Sequence, residues 1–113
     1  MTKGKIVLVP FPFDDLSAVK VRPAVCLTEP LGSYRHVVLA FITSGIHTEL
    51  LDTDLILNSS QADFAKTGLR VSSTLRLHRL MTVTAGLIRR QLGVLSPSLQ
   101  TEIEDRLRRM FGL

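Results

Sequence analysis

The sequence predicts one small α+β domain, in which five or six short strands close into a compact, partly open β-barrel and a helix follows. Three observations predict it. Short β-branched or alternating apolar runs recur between turn signals, the pattern of an all-strand body. One well-capped amphipathic stretch sits near the end of the chain. The chain has 113 residues, 45% apolar and 21% charged, enough for one core and too few for two. Residues 1–113 therefore read as a single domain.

Residues 6–9 (IVLV) form an apolar strand. Pro10-Phe11-Pro12-Phe13 follows, and prolines without ladder donors restrict it to an extended edge or an exit into a loop. Residues 14–21 read as a polar connection, and 24–27 as a strand with Pro23 at its start. Residues 29–33 are a turn cluster. Residues 37–42 are continuously apolar, which predicts a strand buried on both faces. Residues 50–57 alternate in part, with Asp52 and Asp54 on the polar side. Asn58-Ser59-Ser60 is placed to cap a single helical turn over 61–66, stopped by Gly68. From Arg70 the alternation is clear: Val71, Ser73, Leu75, Leu77 and Met81 on one face, Arg70, Ser72, Thr74, Arg76 and His78 on the other. Arg79 falls on the apolar side and predicts a bulge or a functional position there. The last element is a helix with Ser96 as N-cap, Pro97 in its first turn and Gly112 as its stop. Leu99, Ile103, Leu107 and Met110 make its apolar stripe. Its acidic residues come early and its arginines late, complementing the helix dipole, so these arginines have a structural explanation.

No apolar run approaches the roughly 20 residues of a membrane-spanning helix. The apolar part of the N-terminal segment is broken by Pro10 and Pro12 and has no small-residue cleavage site, so it is not read as a secretory signal. Cys26 is the only cysteine, which fits a reducing cytoplasm. Net charge is +4, and no acidic residue lies between Asp63 and Glu102. That stretch holds Lys66, Arg70, Arg76, Arg79, Arg89 and Arg90, a composition suited to a polyanion such as nucleic acid or simply to a solvated basic surface.

Phosphate-binding glycine loops, nucleophile elbows and paired Cys/His ligands are absent, and His36, His47 and His78 are scattered; no metal or other cofactor is expected. Two places stand out. In Val21-Arg22-Pro23-Ala24, the proline keeps Arg22 extended just before an apolar strand. In Phe41-Ile42-Thr43-Ser44-Gly45, an apolar strand ends in two hydroxyls and a glycine. Taken alone, the first also reads as a surface cation and the second as a turn.

Together these places, with Gly4 and residues 5–9, Gly68-Leu69, Ser73 and Leu80-Met81-Thr82-Val83, resemble the MazF/PemK toxins of bacterial type II toxin–antitoxin pairs, in order over nearly the whole chain. The resemblance implies an SH3-like barrel that pairs as a homodimer and cuts single-stranded RNA without metal. It also implies a cognate antitoxin laid along the RNA groove. On this resemblance Arg22 and Thr43 match the catalytic pair, and Ser73 matches the family's serine before the later strand. Lys20, Ser44, Ser73, Arg76, His78 and Arg79 are the candidate RNA contacts. The chain departs from the family at Lys5, usually acidic, and at Arg79, usually glutamine; both changes add positive charge.

The chemistry asks for little machinery. Metal-free cleavage uses the ribose 2′-OH as nucleophile and needs the phosphoryl charge stabilised. A guanidinium fork and an adjacent hydroxyl can do this. His78 has a suitable intrinsic pKa for proton transfer, although an exposed strand histidine is its plainer reading. Phe11, Phe13 and Tyr34 are loop-placed candidates for base stacking, while Phe41 and Phe111 read as core. Two rival functions share the barrel: a CcdB-like gyrase-binding toxin and a non-catalytic SH3-like nucleic-acid-binding module. An arginine before the second strand and a hydroxyl ending the third favour the nuclease.

Overall fold

The computed structural model describes residues 1–12 and 19–113. Among them the strands are β1 (Lys5–Pro12), β2 (Val19–Cys26), β3 (His36–Ser44), β4 (Asp54–Leu57), β5 (Ser73–Thr84) and β6 (Arg90–Val94). A 15-residue helix, α1 (Pro97–Phe111), follows them. All pairings are antiparallel, and the sheet runs β4-β5-β3-β2-β1-β6. It forms the half-barrel of a small α+β fold, with the helix packed against it.

The middle of β3 and the parts of β1 and β2 beside it are apolar because both faces are covered. Ile6, Val25, Ala40 and Ile42 join Leu55, Leu75, Leu77 and Ile103 of α1 in one cluster. The alternate positions Val7, Ala24, Cys26, Leu39 and Phe41 join Val83 in a second. The expectation for residues 37–42 is met in this way: Leu39 to Ile42 are all buried. Burial raises the Cys26 thiol pKa to about 11, with Lys5 and Glu29 making smaller opposing contributions.

The prolines sit where the ladders permit them. β1 pairs with β6 only through Leu8, so Pro10 and Pro12 have a strand partner on one side alone. Pro23 lies inside β2, which begins at Val19 and not at residue 24; the β2–β3 ladder starts only at Ala24, so no bond to β3 is lost. The polar connection expected over 14–21 is thus strand at its end, and residues 14–18 lie outside the described residues.

Other elements differ from expectation for local reasons. β4 is only four residues long, and Leu50 and Leu51 are exposed in the turn before it. Asp54 was expected on the polar face but is buried, because its cross-strand neighbour is Arg76. Thr74, also expected outside, is fully buried with its hydroxyl donating to the Gly45 carbonyl at 2.8 Å. The helical turn is a 3₁₀ turn at Phe64–Thr67, stopped by Gly68 in the left-handed region. Residues 58–60 form a turn of their own, Asn58 Oδ1 accepting from the Ser60 N–H, and do not cap it. The bulge expected at Arg79 is present: the β3–β5 register jumps between Phe41–Arg76 and Ala40–Leu80, leaving residues 77–79 without partners on β3.

The helix follows its sequence signals. Ser96 Oγ accepts from the Leu99 N–H at 3.3 Å, and Gly112 ends it in the left-handed region. Arg106 donates to the carbonyls of Asp52 and Asp54 at 2.7 and 2.9 Å and pairs with Glu102, so it ties the helix to the start of β4. Phe111, expected in the core, is 59% exposed, being on the last turn beyond the covered stripe. At the N-terminus, the Thr2 and Lys3 amides donate to the Glu29 carboxylate and hold its pKa below the usual range.

Candidate active site

A cleft of about 100 Å³ is lined by Phe11, Arg22, Phe41, Ile42, Thr43 and Arg79. It opens where β2 and β3 part. Their last pair is Ala24–Phe41; continuing the same register outward would set Arg22 across from Thr43. Pro23 stands at that boundary and cannot donate to a neighbouring strand. The two side chains singled out in the sequence therefore line one gap between separating strands, both half-buried.

The other walls come from β1 and β5. Phe11 packs its ring edge against Phe41, with centroids 4.6 Å apart and planes at 62°. It is a strand residue fixed against the core, not a loop residue. Phe13 lies outside the described residues. Tyr34 is 78% exposed and stacks on His36. Arg79 reaches the cleft because the bulge interrupts the alternation that would have turned it into the core. Among the described residues the lining thus carries two arginines, a hydroxyl and aromatic carbon, and no carboxylate. Such a surface favours a phosphate and the base or sugar attached to it.

The remaining candidates divide. Lys20 is exposed on β2, opposite Phe11, and Ser44 is exposed at the end of β3, next to the cleft threonine. His78 is exposed on the bulge, its Nδ1 4.0 Å from Asp54 Oδ1. Ser73 and Arg76 are placed differently from expectation. Ser73 is buried, and its hydroxyl donates to the Val71 carbonyl at 2.9 Å. Arg76 is mostly covered, with Nε 2.7 Å from buried Asp54 Oδ1, an ion contact whose angles are not those of a hydrogen bond. Arg76 is held because cross-strand pairing brings Asp54 to it, and Ser73 because its hydroxyl turns back onto the carbonyl two residues before it.

One cleft-side residue was missed. His47 Nε2 lies 2.8 Å from Thr43 Oγ1. The chain returns at Gly45, whose φ of +85° is the left-handed conformation that glycine adopts without strain. Gly45 alone could have hinted at the reversal.

Among the described residues no three His, Cys, Asp or Glu side chains gather into a metal-binding group. No helix among the described residues is long and apolar enough to cross a membrane.

Comparison with known proteins agrees with the fold. The chain is similar in structure to the Mycobacterium tuberculosis toxin MazF-mt6, with a TM-score of 0.72 and 22% identity over 96% of this chain and 97% of that one. It is also similar to an endoribonuclease in complex with its cognate antitoxin from a mycobacterial species, with a TM-score of 0.72 and 15% identity over 100% and 96% of the two chains. A search of curated protein sequences finds no significant match. The profile of the PemK-like, MazF-like toxins of type II toxin–antitoxin systems matches residues 2–111. With the profile spanning nearly every element from β1 through α1, the chain belongs to the PemK-like, MazF-like toxin family.

Proposed function

We propose that this toxin is a metal-independent endoribonuclease that cuts single-stranded RNA, and so halts translation and growth in the cytoplasm. The observation that carries the reading is the joint position of Arg22 and Thr43 in one cationic cleft. In the proposed reaction the 2′-oxygen attacks the adjacent phosphorus and loses its proton. The P–O5′ bond breaks, and the leaving oxygen takes up a proton. The Arg22 guanidinium matches two phosphoryl oxygens with a planar fork, and Thr43 adds a hydroxyl donor to the same group. Donors of this kind act on charge that grows in the transition state. Arg79 adds a second cation at the cleft, while Lys20, Ser44 and His78 are placed to meet flanking nucleotides or phosphates. Ser73 and Arg76 support the strand beneath. A cognate antitoxin is the proposed protein partner, since a structural relative is described in complex with one.

The products test the reading. Purified protein incubated with single-stranded RNA in EDTA should leave 2′,3′-cyclic phosphates upstream and 5′-hydroxyls downstream. Polynucleotide kinase should then label the downstream fragments without prior phosphatase. Fragments with 5′-phosphates would show that water was the nucleophile. RNA bound but left whole would point to a binding module, and RNA neither bound nor cut would favour the gyrase-type toxin.

A further inference from the structure

A threonine hydroxyl has one proton to give and must have it aimed. Thr43 Oγ1 is 2.8 Å from His47 Nε2, and His47 is half-buried beside it without lining the cleft. The turn that returns His47 to Thr43 is built into the sheet. The Gly45 N–H donates to the Ser72 carbonyl at 2.9 Å, and the Gly45 carbonyl accepts from the fully buried Thr74 hydroxyl at 2.8 Å. The two peptide groups flanking the Gly45 Cα are thus fastened to β5 and its lead-in.

We propose that His47 is a positioning residue for Thr43: its Nε2–H donates to Thr43 Oγ1, which leaves the threonine proton free to point at a phosphoryl oxygen in the cleft. This rests on the ribonuclease reading above. The direction of the bond follows from the inventory of donors. Phosphoryl oxygens only accept, so Thr43 must donate to them and cannot also donate its single proton to the imidazole. The ring nitrogen facing it is then the donor. A second bond on the oxygen also removes hydroxyl rotamers that aim elsewhere.

Single-turnover and steady-state cleavage of a short single-stranded RNA in EDTA, with melting curves for each protein, tests this. His47→Leu should lower kcat by about 10- to 100-fold, the scale of a misaimed catalytic group, and leave KM nearly unchanged. His47→Gln should recover most of the rate, since its amide N–H can donate. Thr43→Ala/His47→Leu should be no slower than Thr43→Ala alone, because the histidine acts only through the hydroxyl. Imidazole ¹⁵N shifts of the wild-type protein should show Nε2 protonated at the assay pH, a readout independent of any variant's folding. The proposal falls if Nε2 is bare, if His47→Leu cuts at the wild-type rate, if Gln rescues no better than Leu, or if the two losses multiply. If wild-type protein cuts no RNA, the ribonuclease reading fails first and takes this proposal with it.

Discussion

Arg22 and Thr43 belong to strands that stop pairing just where the two side chains need room. Arg22→Ala should abolish RNA cleavage in a protein that still melts cooperatively. Arg22→Lys should fail as well, because an ammonium keeps the charge and loses the fork. Thr43→Ala should slow cleavage by about 10²-fold or more, the scale of one lost donor, and Thr43→Ser should retain much of the rate. Arg108→Ala is the control: that arginine pairs with Asp105 on an exposed face of α1. If Arg22→Ala cuts normally while Arg79 or His78 substitutions stop the reaction, the centre lies on the bulge at residues 77–79 instead. Arg22 and Thr43 were legible because each stands at an abrupt change in composition. His47 was not, since its contact with Thr43 depends on a left-handed turn and on no regular period. Alternation put Ser73 on the covered face, where it is buried, but could not show that Asp54 waits opposite Arg76 and draws that arginine in from the polar face.

Elements with local signals read well. α1 carries its own cap, first-turn proline and stop, so its limits follow from short-range chemistry. β6 carries nothing comparable, and no strand was expected there. Arg90 and Gln91 are exposed and Gly93 has no side chain; the strand exists because β1 offers it an edge. Gly93 also shows how the barrel closes. A Cβ at that position would collide with the backbone of Lys66 and Thr67, and one at Gly68 with the Leu92 carbonyl. The 3₁₀ turn and β6 therefore meet backbone to backbone. Gly93→Ala should cost about 1–3 kcal/mol, the range of overpacked substitutions, and lower the melting temperature accordingly. Gly86→Ala, where a Cβ meets nothing within 4 Å, should change it little. Equal melting of the two variants would show that the close approach does not constrain the fold.

At the scale of the whole molecule, the apolar stripe of α1 and the apolar middle of β3 offer no face to a second copy. The structure uses both internally: Ile103 is buried and Leu99 and Leu107 pack on the core, as does the middle of β3. Apolar side chains that remain outside among the described residues include Val21, Ile46, Leu50, Leu51, Leu80 and Val94, each at least a third exposed. A domain of this size buries a smaller share of its surface than a larger one, and pairing as a homodimer would cover some of these side chains. Light scattering at micromolar concentration should give twice the 12.5 kDa chain mass, and a particle of 12.5 kDa would exclude the dimer.

The cleft gathers Phe11, Arg22, Thr43 and Arg79 from β1, β2, β3 and β5. During synthesis the threonine–histidine contact spans only four residues, but its turn is fastened to Ser72 and Thr74, and both that fastening and closure onto Arg79 must wait for a much longer loop. No covalent fragment ending before Arg79 holds the full set. The complete cleft would thus assemble late and in one step, so a nascent chain still short of β5 carries Arg22 and Thr43 without the strand that supplies Arg79 and fastens the turn at Gly45.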